Sequence, residues 1–389
     1  MFRRSLFVFS FLATSSFAIH SSLAAYSQTN LTSDGFVQAA HTDPNLKNPW
    51  GMSFGPTTPF WVSDQHTGVA TIYDGTGAPF PTASPLVVTI PQASGPVAGP
   101  TGQVFNSTGG FVLNTGGKTG AATFMFANLD GSIAAWNGTG SLTQAVQVVP
   151  STTGSAYTGL AITSNGSGNF LLAANNATGN VDVFDANFAP ATLQGNFTDP
   201  SVPANLHPFN VTTINGKVYV TYAVPGPEAD EEPIGSGAVS VFDTNGNLLQ
   251  SLIPNGSQVA SPWGIAVATS NFGEFSNALL VGNFSDEDGF INAFDANTGS
   301  FLGTLNGANG QPINNADLWT LAFGNGAQGS DANALYFTAG IGDEEHGLFA
   351  RITPSSGPAV PLPPAVVSAP LAAAVGLISA RSRRIRRED

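Results

Sequence analysis

Pro49-Trp50-Gly51-Met52-Ser53-Phe54 is the first of six related phrases in this chain. The others are Pro100-Thr101-Gly102-Gln103-Val104-Phe105, Tyr157-Thr158-Gly159-Leu160-Ala161-Ile162, Pro208-Phe209-Asn210-Val211-Thr212-Thr213, Pro262-Trp263-Gly264-Ile265-Ala266-Val267 and Leu318-Trp319-Thr320-Leu321-Ala322-Phe323. They start 51, 57, 51, 54 and 56 residues apart. A period of this size built from strand-like pieces points to a β-propeller. One such unit cannot bury its own apolar face, so its neighbours must stack on it.

After each phrase come a second strand, a turn, a third strand and usually a fourth. The first unit supplies Phe60–Ser63, Val69–Tyr73 and Leu86–Ile90. The third supplies Phe170–Ala174, Asn180–Phe184 and Ala191–Leu193, and the fifth Ala278–Val281, Phe290–Phe294 and Phe301–Leu305. The third strand tends to close on an aromatic residue followed by Asp or Asn, as in Tyr73-Asp74, Trp136-Asn137, Phe184-Asp185, Phe242-Asp243 and Phe294-Asp295. Such an Asp or Asn suits a turn in which the side chain bonds its own backbone. The sixth unit has Leu318–Phe323, Ala334–Thr338 and Gly347–Ile352 and then stops. Its missing fourth strand matches an orphan strand upstream of the first phrase, Ser27–Thr32. That strand is expected to complete the last blade and remove a free sheet edge. The expectation is an all-β, six-bladed propeller over residues 26–354.

Composition agrees. The 389 residues are 42% hydrophobic and only 9% charged, with 45 Gly and 27 Pro. No long stretch has helical periodicity, and short strands bounded by Gly, Asn and Asp turns indicate an all-β protein. The absence of cysteine excludes disulfides, thiolate metal sites and a cysteine nucleophile. Of the formal charge of −14, the basic share sits mostly at the ends. Between Tyr26 and Pro354 only Lys47, Lys118, Lys217 and Arg351 face 23 of the 25 acids, a charge near −19. Such a body repels phosphate backbones, which argues against a nucleic-acid partner, and attracts cations.

The two ends read as addresses. Residues 1–25 join Arg3-Arg4 to an apolar run, Leu6–Leu12, and end in Ser22-Leu23-Ala24-Ala25. This is the layout of a secretory signal peptide cut after Ala24 or Ala25. At the other end, a Ser, Gly and Pro rich linker, 355–364, leads into the apolar segment Ala365–Ala380 and a basic end from Arg381 to Arg387. Sixteen helical residues would span ~24 Å, short for a ~30 Å hydrocarbon core. The layout over 365–389 resembles the PEP-CTERM sorting signal of Gram-negative envelope proteins, with Leu362 where that family usually has Glu. The resemblance implies processing by exosortase-type machinery, membrane contact only through the tail, and an envelope or extracellular location.

The repeat pattern resembles NHL-type and gluconolactonase-like propellers. The whole body is similar to an uncharacterised family of exported bacterial propellers. The likeness is carried by Asn30–Gly35, His41–Leu46, Asn48-Pro49-Trp50-Gly51 and Asp343–Phe349. It implies a fold and a location but no activity.

Propeller geometry turns the phrase into a map of candidate functional residues. The innermost strand begins on one face of the disc, and the loop between strands two and three opens on that face. The residues preceding the recurrent Gly position therefore ring one mouth of the channel: Trp50, Thr101, Thr158, Phe209, Trp263 and Trp319. The aromatic ones either stack a sugar or another flat ligand, or plug the channel. The loops between strands two and three of the last three units are acidic. They carry Glu228, Asp230, Glu231 and Glu232, then Asp286, Glu287 and Asp288, then Asp343, Glu344 and Glu345. Gathered on one face they are a candidate Ca²⁺ locus, since Ca²⁺ takes oxygen ligands, or else a solvated acidic rim. His207 and His346 belong near the same face as general bases or loop caps. Asn210 aligns with a phrase position that holds a channel metal in gluconolactonase-like propellers. No nucleophile elbow or zincin helix is present. The expected role is a binding or structural module that engages polysaccharide matrix or an envelope protein through an aromatic and acidic face. The alternative is a calcium-dependent hydrolase or lyase of the gluconolactonase type.

Overall fold

A computed structural model describes residues 25–92, 98–226 and 228–355. The sorting tail expected from the sequence and, but for Ala25, the export signal lie outside them. Among the described residues no helix is long and apolar enough to cross a membrane.

Six antiparallel sheets form the six blades of a propeller. The inner strands are Pro49–Ser53, Pro100–Phe105, Tyr157–Asn165, His207–Ile214, Pro262–Val267 and Leu318–Phe323, so each phrase lines the channel. The second strands are sandwiched between neighbouring blades. Phe60–Asp64, Phe124–Asn128, Leu279–Asn283 and Leu335–Ala339 are buried along their whole length. This is why they read as continuous apolar runs and not as alternating ones. The core therefore lies between blades. Trp61, Phe124, Phe126 and Trp136 pack where blade 1 meets blade 2, and Leu31, Phe60, Tyr336 and Phe349 where blade 6 meets blade 1.

The phrase carries two devices that shape the channel. In blades 1, 5 and 6 the ladder to the second strand skips between Pro49 and Met52, Pro262 and Ile265, and Leu318 and Leu321. Such a bulge bends the strand and re-aims the residues within it. The recurrent Gly then lets successive inner strands approach. A Cβ on Gly51 would stand 2.4 Å from the Thr101 carbonyl oxygen, and one on Gly264 2.2 Å from that of Trp319. Where the Gly is replaced, the side chain bridges blades. Asn210 Nδ2 donates to the Trp263 carbonyl (2.9 Å) and Thr320 Oγ1 to that of Trp50 (2.8 Å).

The strand Ala25–Ser33 pairs antiparallel with Leu348–Ser355 and closes blade 6, as expected. A two-residue strand, His41–Thr42, adds a parallel edge beside it. The Asp or Asn that closes the third strand of blades 1 to 5 is a turn residue: Asp74 Oδ1 accepts from the Thr76 and Ala78 amides, and Asp185 Oδ1 from those of Asn187 and Ala189. One expected strand is corrected. Blade 3 has three strands, and residues 191–193 form no fourth. Pro190 keeps a single bridge to Phe184 and Ala191 one amide bond to Val183, the same two contacts that Pro79 and Phe80 make ahead of the fourth strand of blade 1, but in blade 3 no paired strand follows them. Blade 2 carries an inserted hairpin, Val112–Thr115 with Lys118–Ala121, that the repeat pattern does not announce.

Candidate functional site

Aromatic side chains meet inside the channel. Trp319 is fully buried and stacks on Trp50 (centroids 3.7 Å apart) and on Phe284 (4.1 Å). Phe209 and Trp263 press against it at 5.9 and 5.7 Å. Trp319 Nε1 donates to Asn48 Oδ1 (2.9 Å) and Trp263 Nε1 to the Thr158 carbonyl (3.1 Å). The rings thus plug the channel, and a cavity remains on each side.

On the mouth where the inner strands begin, the cavity measures about 550 Å³. Trp50, Phe209, Phe284, Trp319 and Leu129 give it an apolar floor and wall. Asn48, Gln65, His66, Thr158, Asn176 and Glu344 supply polar groups around them. The indole N–H of Trp50 is buried and has no hydrogen-bond partner among the described residues. The opposite cavity, about 400 Å³, is lined by Trp263 and Asn210 among others. The phrase positions therefore split. Trp50, Phe209 and Trp319 face the first cavity, while Trp263, at the same phrase position, lines the second. Asn210 lies at that far end with its amide engaged on both sides, since its Oδ1 also accepts from the Val211 amide (2.8 Å).

His207 and His346 stand apart from this cavity. His207 Nδ1 is 2.6 Å from the Asn176 carbonyl, which can only accept, so Nδ1 carries the proton. The ring lines an outer groove with Gly179, Asp199 and Tyr222. His346 Nδ1 sits 2.7 Å from Asp34 Oδ2 and its ring stacks on Phe36 at 3.9 Å. Lys47 also donates to Asp34 (2.8 Å). Burial alone would raise the Asp34 carboxyl, but the bonds from Lys47 and His346 outweigh it and hold it below the usual carboxylate value.

Of the acidic loops, Glu228, Glu231, Glu287, Asp343 and Glu345 are exposed and Glu232 and Asp288 half-buried. Two of the expected residues, Asp230 and Asp286, converge instead on a third that the loops do not contain, Asp317. One carboxylate oxygen of each lies within 4.8 Å of the others. Asp317 immediately precedes the sixth phrase. Extending the phrase one residue upstream gives Asn48, Ser261 and Asp317 in blades 1, 5 and 6. All three are buried and hold positive φ angles of 44°, 38° and 52°. Asp317 and Asn48 are polar contributors to this mouth that the six-residue repeat left out.

Burial, then the charges of Asp286, Glu344 and Asp230, push the Asp317 carboxyl up to about 8. Burial also lifts Glu344 to about 7, with Asp230, Asp286 and Glu345 adding to it and the bond from Asn48 opposing. Both acids titrate higher folded than unfolded. Their contribution to stability is complete below the unfolded values near pH 4 and is lost as pH rises through about 7 and 8. His66 acts the other way, because burial lowers its pKa, but only up to its ordinary value of 6.5. In the presence of a chelator, the melting temperature is therefore expected to fall between pH 6.5 and 8.5, with a slope of up to ~1.4 kcal/mol per pH unit for each proton. Calorimetric melts that stay level or rise over that window would contradict the assignment.

No protein-family model matches the chain. The uncharacterized protein R648 of Acanthamoeba polyphaga mimivirus is 31% identical over 333 residues, covering 83% of this chain and 78% of the viral one. The uncharacterized protein L690 of the same virus is 30% identical over 339 residues, covering 84% and 85%. The chain belongs to the family of these two proteins. The relatives that show the family are thus viral and not bacterial, and they carry no activity by name. Among solved structures, a streptogramin B lyase matches with a TM-score of 0.49 and 14% identity over 85% of this chain and 97% of its own. A gluconolactonase from Xanthomonas campestris matches with a TM-score of 0.35 and 12% identity over 60% and 82%. Likenesses this distant carry no activity across to the family.

Proposed function

We propose that this propeller is a binding module whose ligand enters the mouth cavity, and that the ligand is a sugar unit of a polysaccharide. The supporting observation is the combination in one cavity of an aromatic floor and a polar rim. A cavity of about 550 Å³ is in the range of small-ligand sites. A pyranose presents an apolar face of C–H groups and an edge of hydroxyls. The first suits Trp50 and Phe284, and the second suits Gln65, Asn176 and Glu344. The lactonase alternative draws less support, because Asn210 lies beyond the plug with both sides of its amide hydrogen-bonded. Export, an envelope or extracellular setting and processing by exosortase-type machinery are the setting we propose for this role, on the strength of the sequence at residues 1–25 and 365–389.

The test is a glycan array followed by tryptophan-fluorescence titration of any hit. Saturable binding is expected, weakened at least tenfold by Trp50→Ala. An array without hits, together with turnover of a lactone or ester by the same preparation, would overturn the reading in favour of a hydrolase.

A further inference from the structure

We propose that Asp230, Asp286 and Asp317 form a divalent-cation site, suited to Ca²⁺, beside the mouth cavity. The three side chains come from separate parts of the chain. Asp230 lies in the loop between the second and third strands of blade 4, Asp286 in the same loop of blade 5, and Asp317 at the entry to blade 6. The Asp286 amide donates to the Asp230 carbonyl (3.4 Å) and the Asp317 amide to that of Ser285 (3.1 Å), which ties the three segments together.

Proximity of acids alone would be unremarkable on so acidic a protein. The second observation is the state of Asp317. It is 0% exposed, and among the described residues neither of its carboxylate oxygens accepts from an amide, hydroxyl or ammonium donor; its one side-chain partner is the Asp286 carboxyl within the cluster. Other buried carboxylates of this chain take donors. Asp199 accepts from Ser201 and Ser240, Asp64 from Thr71, and Asp34 from Lys47 and His346. Asp317 instead faces two further carboxylates. A buried carboxylate without a donor is costly, and a cation is the species that would satisfy all three groups at once.

The chemistry narrows the ion. The cluster offers only carboxylate oxygens, and the chain has no cysteine. Hard oxygen donors select Ca²⁺ or Mg²⁺ over zinc or copper. Two oxygens on opposite sides of a Ca²⁺ ion at ~2.4 Å each stand ~4.8 Å apart. The three here lie within 4.8 Å of one another, and three oxygens at that full spacing would stand ~2.8 Å from a common centre, so side-chain shifts of a few tenths of an ångström bring all of them to Ca²⁺ distance. Water would complete the shell, because Mg²⁺ and Ca²⁺ both tolerate it and Asp286 is exposed. The site is independent of the ligand assigned to the cavity, and the two can fail separately.

The test uses the purified protein, stripped with EDTA and dialysed, then titrated with CaCl₂ by calorimetry and melted at each concentration. Saturable binding and a rise in melting temperature are expected, since an ion that binds only the folded state stabilises it. Asp317→Asn should lose at least tenfold in affinity. Without metal, that variant should melt no lower than the parent, which separates loss of the site from loss of the fold. Glu274→Gln, an exposed acid elsewhere on blade 5, should leave the calcium response unchanged. The proposal is overturned by the absence of heat or a melting shift at about 10 mM Ca²⁺, Mg²⁺ and Mn²⁺ alike, a concentration beyond even the ~10⁻³ M class of calcium sites. It is equally overturned by a shift of the same size in Asp317→Asn. Saturable binding that prefers Mg²⁺ and depends on Asp317 would keep the site and overturn its assignment to calcium.

Discussion

A chain lacking Ala25–Ser33 is expected to lose its single cooperative unfolding transition and to aggregate. This strand is held at both faces as well as along its edge. Its backbone pairs with Leu348–Ser355 from Ala25 to Ser33. Tyr26 is buried against blade 5, where its hydroxyl donates to the Phe272 carbonyl (3.0 Å) and accepts from the Phe275 amide (3.1 Å). Leu31 enters the cluster that joins blade 6 to blade 1, and Thr32 Oγ1 donates to the Gly77 carbonyl of blade 1 (2.6 Å). The strand therefore ties three blades together at the point where the ring closes. Its removal leaves the edge of Leu348–Ser355 open to other chains and exposes apolar surface on blades 1 and 5. A milder variant isolates one anchor. Tyr26→Ala should cost about 3–5 kcal/mol, the range for deleting a buried aromatic, out of a total of roughly 5–15 kcal/mol. Urea unfolding followed by circular dichroism measures both. A deletion variant that still melts in one transition within a few degrees of the parent would show that the ring does not depend on this closure.

The closing strand also shows what the sequence makes legible. A repeat that lacks one strand, and an orphan strand at the other end of the same domain, have one topological solution. The inner strands were readable for a similar reason, because packing around a narrow channel forces Gly or a bridging Asn or Thr into the same register in every blade. The site was less readable. Trp50 and Trp263 occupy the same phrase position, yet one indole lines the mouth cavity and the other reaches across to Thr158. Register places a Cα, but side-chain direction in a packed plug depends on which neighbours are already there. Phe284 and Leu129 enter the cavity as the first residue after the second strand, in the same register as Gln65 and Asn176, and His66 one residue later; the six-residue phrase does not reach these positions. Asp317 sits one residue outside the repeat. A search for polar residues at that upstream position would have found it with Asn48, and the loop acids alone could not. Blade 3 lacks a fourth strand although Pro190 and Ala191 make the same contacts as Pro79 and Phe80 of blade 1, so a strand count by period overreaches there.

Trp319→Ala carries the second large effect, and it separates the two roles open to the aromatic ring. If the rings chiefly form a plug, Trp319 is its centre. It is fully buried, touches Trp50, Phe209, Trp263 and Phe284, and hydrogen-bonds Asn48. Truncation removes a buried indole, opens a void between the two cavities and deprives Asn48 Oδ1 of its donor. The expected cost is about 3–5 kcal/mol for the lost side chain, with ~1–3 kcal/mol more if the buried Asn48 oxygen stays unpaired. Trp319→Phe keeps most of the stacking and loses only the indole N–H, so it should cost a fraction of this. Trp50→Ala offers the contrast, because Trp50 borders the cavity and its N–H has no hydrogen-bond partner among the described residues. Its truncation should weaken ligand binding more than Trp319→Phe does, while costing less stability than Trp319→Ala. Denaturant unfolding of the three variants orders them directly. Equal losses in Trp50→Ala and Trp319→Ala would mean that both indoles serve the plug alone, and the cavity floor would then need another explanation than ligand stacking.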